Sequence, residues 1–166
     1  MNLILIDDEK TWLNLLPLTY TRPVSEIRIG ILTIREKWEH YFGETSTLTE
    51  DYLSGKFSAK FAEHNILINS SVCPDEELVK QLKVLKLNEA LISEDCIVAV
   101  SASADKAKAF KGNNLEGFAK VNFTGKLLQV NTLWDIFQKN GEAIEADFKL
   151  LTKGRKSEKI SETNTV

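Results

Sequence analysis

Two prolines placed soon after a short apolar strand constrain this chain more than any other feature. Leu3-Ile4-Leu5-Ile6 reads as a buried strand ended by Asp7 and Asp8, and Leu15-Leu16-Pro17-Leu18-Thr19-Tyr20-Thr21-Arg22-Pro23 follows. Each proline fixes its own φ and pushes the residue before it out of the helical region. The connection is therefore expected to be rigid and extended, running through Ser25-Glu26-Ile27-Arg28-Ile29-Gly30 to a helix that begins near Thr33. A link of this kind leaves the carboxyl edge of a parallel sheet, where α/β proteins bind ligands. Site residues also tend to lie on loops held by rigid elements.

The rest of the chain supplies the other layers of such a domain. Thr33-Ile34-Arg35-Glu36 fits a capping box, and Ile34, Trp38, Tyr41 and Phe42 recur at helical spacing until Gly43. Thr45 to Leu48 reads as a second strand, with a turn at Glu50–Leu53, and Asn65-Ile66-Leu67-Ile68-Asn69 as a buried third strand. After the loop Ser70-Ser71-Val72-Cys73-Pro74, Asp75 caps a helix with Leu78, Val79, Leu82 and Leu85 on one face. Ala90–Ile92 and Ile97–Val100 form two strands around the turn Ser93-Glu94-Asp95. Ser101 to Asn114 reads as a partly helical, exposed connection. Phe118, Val121 and Phe123 mark a strand, with Leu127 to Val130 returning beside it. Thr132 caps a helix that turns Leu133, Trp134, Ile136 and Phe137 inward, and a last helix carries Ile144, Phe148 and Leu151. The expected division is a domain over 1–152 and a polar tail or linker over 153–166.

Composition removes several function classes. A chain of 166 residues buries roughly two-thirds of its unfolded surface and needs no disulfide or metal to fold. Its 21 basic and 24 acidic side chains leave a net charge of −3, unlike a nucleic-acid surface. Cys73 and Cys96 lack metal-ligand spacing and read as buried free thiols. His40 lies within a helix and His64 before a strand, so neither is placed by sequence near a nucleophile. No signal peptide or membrane segment is visible, and a cytoplasmic location is expected.

The order of a hydrophobic strand, Pro17-Leu18-Thr19, then Arg22-Pro23, then an apolar segment entering a helix resembles the opening of sugar-1-phosphate nucleotidyltransferases. It looks specifically like a divergent branch resembling the uridyltransferase half of bifunctional N-acetylglucosamine-1-phosphate uridyltransferases. Pro23 matches the proline before that family's lysine, whose place Val24 takes here with Arg22 nearby. Asp7-Asp8-Glu9-Lys10-Thr11-Trp12 stands where the family carries a Gly-x-Gly-Thr-Arg loop, and Ser70-Ser71 where a Gly-Asp pair supplies a metal ligand. The resemblance implies a three-layer, Rossmann-like α/β domain with a mostly parallel sheet, truncated relative to the family. It implies UTP-dependent transfer to a sugar 1-phosphate with Mg²⁺ if the chain is active, and no cofactor otherwise. The family usually continues into a left-handed β-helix acyltransferase domain of hexapeptide turns, and none appears here. A degenerate binding domain, or a regulatory or oligomerisation domain of a sugar acyltransferase-type protein, is the alternative.

Five residues are candidates for binding a nucleotide or sugar phosphate, while no catalytic residue is assigned. Arg22 and Arg28 flank the proline segment and suit bidentate phosphate contacts; Arg35 opens the following helix, whose free N–H groups favour anions. Asp7 and Asp8 are placed for a metal or a ribose hydroxyl. The competing roles are strand-end capping for the aspartates and salt bridges to Glu26 and Glu36 for the arginines.

Overall fold

Alternation along the first strand of the computed structural model, which describes residues 1–94, 96–157 and 161, sets the layering of the whole chain. In β1 (Asn2–Ile6) side chains alternate between faces, and Leu3 and Leu5 enter one apolar cluster while Ile4 and Ile6 enter another. Next come α1 (Glu9–Asn14), the hairpin of β2 (Arg28–Ile29) and β3 (Leu32–Thr33), α2 (Ile34–Phe42) and β4 (Ser46–Leu48). The middle of the chain forms β5 (His64–Asn69), β6 (Val72–Cys73), α3 (Glu76–Val84), β7 (Glu89–Ser93), β8 (Cys96–Ser103) and α4 (Ala104–Ala109). The last elements are β9 (Ala119–Asn122), β10 (Leu128–Gln129), α5 (Leu133–Gln138) and α6 (Asn140–Thr152).

Six strands make the central sheet in the order β4-β1-β5-β8-β7-β9, and only β8 runs against the others. The sheet is mostly parallel, as expected. On one face Leu3, Leu5, Ile66 and Ile68 pack with Ile34 and Trp38 of α2 and with Leu78, Val79 and Leu82 of α3. On the other, Ile4, Ile6, Leu67, Val100 and Ala102 meet Ala107 of α4 and Phe110. Burying each large apolar side chain stabilises the fold by about 1.5–3 kcal/mol. Trp38 keeps its polar end satisfied, because its indole N–H donates to the Val72 carbonyl at 2.8 Å. All three legible helix starts are present: Thr33 and Glu36 close a capping box, Asp75 accepts from the Leu78 N–H at 2.7 Å, and Thr132 opens α5 with its N–H donating to Asp135 Oδ2 at 2.8 Å.

Four expectations change. The proline segment is folded rather than extended, since Asp8 caps α1 and the chain then makes 3-10 turns at Leu18–Tyr20 and Val24–Glu26. Pro17 and Pro23 precede those turns, where a residue without an N–H costs no helical bond. The loop after β5 contains a strand of its own: β6 pairs antiparallel with β10, so β10 does not return beside β9, which lies parallel to β7. The Phe123 N–H donates to the Ile92 carbonyl at 2.7 Å and keeps that strand on the main sheet. Trp134 and Phe137 face outward at 72% and 76% exposure, while Leu133 and Ile136 pack against the core as expected. In α6 the inward positions are Ala143 and Asp147, which turns Ile144 and Phe148 to the surface.

Asp95 of the expected 93–95 turn, and the tail beyond Ser157 except Ser161, lie outside the described residues. Among the described residues no helix is long and apolar enough to cross a membrane.

Candidate functional site

The carboxyl ends of β1 and β5 and the start of the reversed β8 share one edge of the sheet, which brings Asp7, Asp8, Asn69 and Cys96 to the same side. Asp7 is fully engaged there. Its carboxylate accepts from the Val24 N–H at 3.2 Å, from Thr49 Oγ1 at 2.7 Å and from Ser70 Oγ. Burial pushes its pKa up to about 6, against the pull of these donors. One carboxylate thus ties together β1, the proline segment and the loops after β4 and β5.

Asp8 behaves differently. Its Oδ1 accepts from the Thr11 N–H at 3.0 Å, whereas its Oδ2 is buried without a partner among the described residues. The residue lines a void of about 10 Å³ with Asn69, Phe110 and Gly112. The α4–β9 loop passes close over it, since a Cβ on Gly112 would lie 3.6 Å from Asp8 Cβ. A void of that size holds about one water molecule.

Beside these acids lies a neutral network that sequence reasoning missed. Ser71 Oγ donates to Asn69 Oδ1 at 2.7 Å and accepts from Gln129 Nε2 at 2.9 Å; the same amide lies 3.4 Å from Cys96 Sγ. Burial raises the Cys96 thiol above its usual range, so it is not a ready nucleophile. Gln129 carries no motif and reaches the edge only because β10 pairs with β6, a contact between distant segments. Burial likewise holds the Cys73 thiol up at about 12.

The three arginines divide. Arg35 pairs with Glu26 and, at 2.9 Å, with Glu39, which keeps its guanidinium firmly charged. Arg28 donates to the Ile31 carbonyl and lies 3.6 Å from Glu36. Pairing to Glu26 and Glu36 is thus present for two of the three. Arg22 is exposed and has no acidic partner among the described residues. At the opposite edge His64 does meet a hydroxyl, since its Nε2 lies 2.8 Å from Ser101 Oγ. Ser101 is fully buried, however, and closed to a substrate.

A family model described as sugar nucleotidyl transferase matches residues 3–156, and the chain belongs to this family. Among solved structures, it is similar to one provisionally described as a glucose-1-phosphate thymidylyltransferase from Bacillus anthracis in complex with sucrose. That likeness has a TM-score of 0.52 at 10% identity and covers 87% of this chain and 96% of the other. A CTP:phosphocholine cytidylyltransferase from Streptococcus pneumoniae aligns with a TM-score of 0.49 at 9% identity, over 86% of this chain and 99% of that one. The first of these shares the α/β fold. No curated protein matches the chain.

Mg²⁺, which nucleotidyl transfer normally uses, finds a poor donor set at this edge. No group of three or more His, Cys, Asp or Glu side chains among the described residues is arranged to hold a metal. Asp7 is consumed by three donors and Ser71 offers a hydroxyl already bonded on both sides. The remaining oxygen, Asp8 Oδ2, borders a space for one water, whereas Mg²⁺ brings several. The residues present do not fit the hydrated cation.

Proposed function

We propose that this chain is a sugar nucleotidyl transferase-type domain that binds a nucleotide or sugar phosphate at the carboxyl edge of its sheet and does not turn it over. The observation that carries this reading is the state of Asp7 and Ser71: the acid is held by Val24, Thr49 and Ser70, and the hydroxyl by Asn69 and Gln129. Phosphoryl transfer depends on positioned cations, and neither group presents free charge to one. Of the three arginines, Arg22, exposed on the proline segment, is the one left without an acidic partner among the described residues to meet a phosphate, with Asp8 for a ligand hydroxyl.

Under this reading the domain resembles the uridyltransferase half of bifunctional N-acetylglucosamine-1-phosphate uridyltransferases. Residues 1–152 form the binding domain, 153–166 a tail or linker, and the location is cytoplasmic. A second reading, a regulatory or oligomerisation domain of a sugar acyltransferase-type protein, draws on the outward Trp134, Phe137 and Phe148 of α5 and α6.

Calorimetric titration with UTP and with UDP-N-acetylglucosamine, in EDTA and in Mg²⁺, separates these readings when run beside a pyrophosphate-release assay. The expected outcome is saturable binding in EDTA and no pyrophosphate. Release of pyrophosphate with UTP, Mg²⁺ and a sugar 1-phosphate overturns the loss of catalysis. Absence of heat in every arm leaves the regulatory reading in its place.

A further inference from the structure

A cleft of about 360 Å³ opens between α4 and the loop leading to β9, next to the void at Asp8, with Phe110 on the lining of both. That is within the size range of small-molecule sites, roughly 300–1,000 Å³. Its lining has a consistent chemistry. Lys106 Nζ donates to Asn88 Oδ1 at 2.7 Å and to the Gly117 carbonyl at 3.2 Å, and sits 5.2 Å from the centre of the Phe118 ring. All three partners are neutral, so they fix the ammonium in place without cancelling its charge. One of its three protons is left over.

Lys111 on the same lining is exposed and has no acidic partner among the described residues. Asn114 Oδ1 accepts from the Glu116 N–H at 2.8 Å, which leaves the amide NH₂ to donate. Phe110 and Phe118 meet edge to face at 6.0 Å and form an apolar wall. Glu116 is the single carboxylate on the lining, against two ammonium groups, in a chain whose net charge is −3.

We propose that this cleft is a second ligand site, which takes a small molecule carrying a phosphate group. Phosphate oxygens accept hydrogen bonds, and Lys106, Lys111 and Asn114 offer donors on one lining. The Phe110–Phe118 wall suits the apolar part of the same molecule. Phe110 also lines the void at Asp8, so one side chain separates the two places. The proposal stands whether or not the carboxyl edge binds a nucleotide.

Amide-resolved NMR titration with phenyl phosphate, with phenol as the uncharged control, tests it on the wild-type chain and on Lys111→Ala. Lys111 is exposed, with no ion pair among the described residues, so the variant is expected to keep its structure, which the spectrum itself verifies. Expected are saturable shifts over residues 106–118 with phenyl phosphate, little response to phenol, and affinity weakened by roughly ten-fold or more in Lys111→Ala. Silence of those residues at millimolar phenyl phosphate, an equal response to phenol, or unchanged affinity in the variant each overturns the site. A separate UTP titration read at Arg22 and Val24, which line neither the cleft nor the void at Asp8, reports the carboxyl edge, so failure at one place is not mistaken for failure at the other.

Discussion

Asp7 is the residue on which several segments converge, and its environment has a consequence for stability. Its folded pKa of about 6 lies above the ordinary 3.8, so the native chain holds a proton that the unfolded chain has released between those values. The contribution is complete below the unfolded pKa and is lost as pH rises through about 6. Two units correspond to about 3 kcal/mol as an upper figure. Urea unfolding of wild type and Asp7→Asn between these pH values reads this directly: wild type loses stability relative to the variant as pH rises. A constant difference removes the assignment. At Arg22 the expectation concerns binding, and Arg22→Ala weakens nucleotide affinity by about 1.5–3 kcal/mol if its guanidinium meets phosphate. Titration of that variant against UTP decides whether the residue belongs to the site.

Among the elements, α6 is tied to the amino-terminal hairpin by a buried cluster. Lys37 and Asp147 are 4% and 3% exposed and contact each other; Asp147 Oδ2 also accepts from the Ile31 and Leu32 N–H groups at 2.8 and 3.1 Å. Asn140 Oδ1 takes the Gly30 N–H at 2.8 Å. Removing one partner of a buried pair leaves an uncompensated charge, so Asp147→Ala is expected to cost about 3–5 kcal/mol in urea unfolding. Glu36→Ala, which also removes a cap, should cost only about 0.5–2 kcal/mol. Gly30 is equally constrained. Its φ is +76°, and a Cβ there would lie 2.6 Å from Asp147 Oδ2 and 2.8 Å from the Ala143 carbonyl carbon. Trp134→Ser, by contrast, should change stability by less than about 0.5 kcal/mol.

For the molecule as a whole, the layers were legible because strand alternation and helix caps are local signals. Leu3 to Ile6, Thr33 with Glu36, and Asp75 each carried their own instruction. The pairing of β10 with β6 was not legible, since it depends on contacts between segments far apart in sequence, whereas the short link between Ala90–Ile92 and Ile97–Val100 already required β8 to run against β7. The helical spacing of Trp134, Phe137, Ile144 and Phe148 identified stripes but not which stripe faces inward; Leu133 and Ile136 pack inward in α5, and Ala143 and Asp147 in α6. At the candidate edge, Asp7 and Asp8 could be singled out as acids after a strand, and Arg22, Arg28 and Arg35 as cations around a loop. What each is bonded to could not be read, nor could Gln129 be found, because such partners are chosen by the fold.

The Asp147 cluster also bears on how the chain is made. Two hairpin amides near the front and the ammonium of Lys37 find their acceptor only when a helix much later in the sequence has been synthesised. Until then the newly made amino-terminal region lacks its counter-charge, and the amides of Gly30, Ile31 and Leu32 lack their acceptors. Completion of this domain therefore waits on its final helix, and a chain halted before Asn140 should be cut by protease within the 18–32 region while one extended past Thr152 resists.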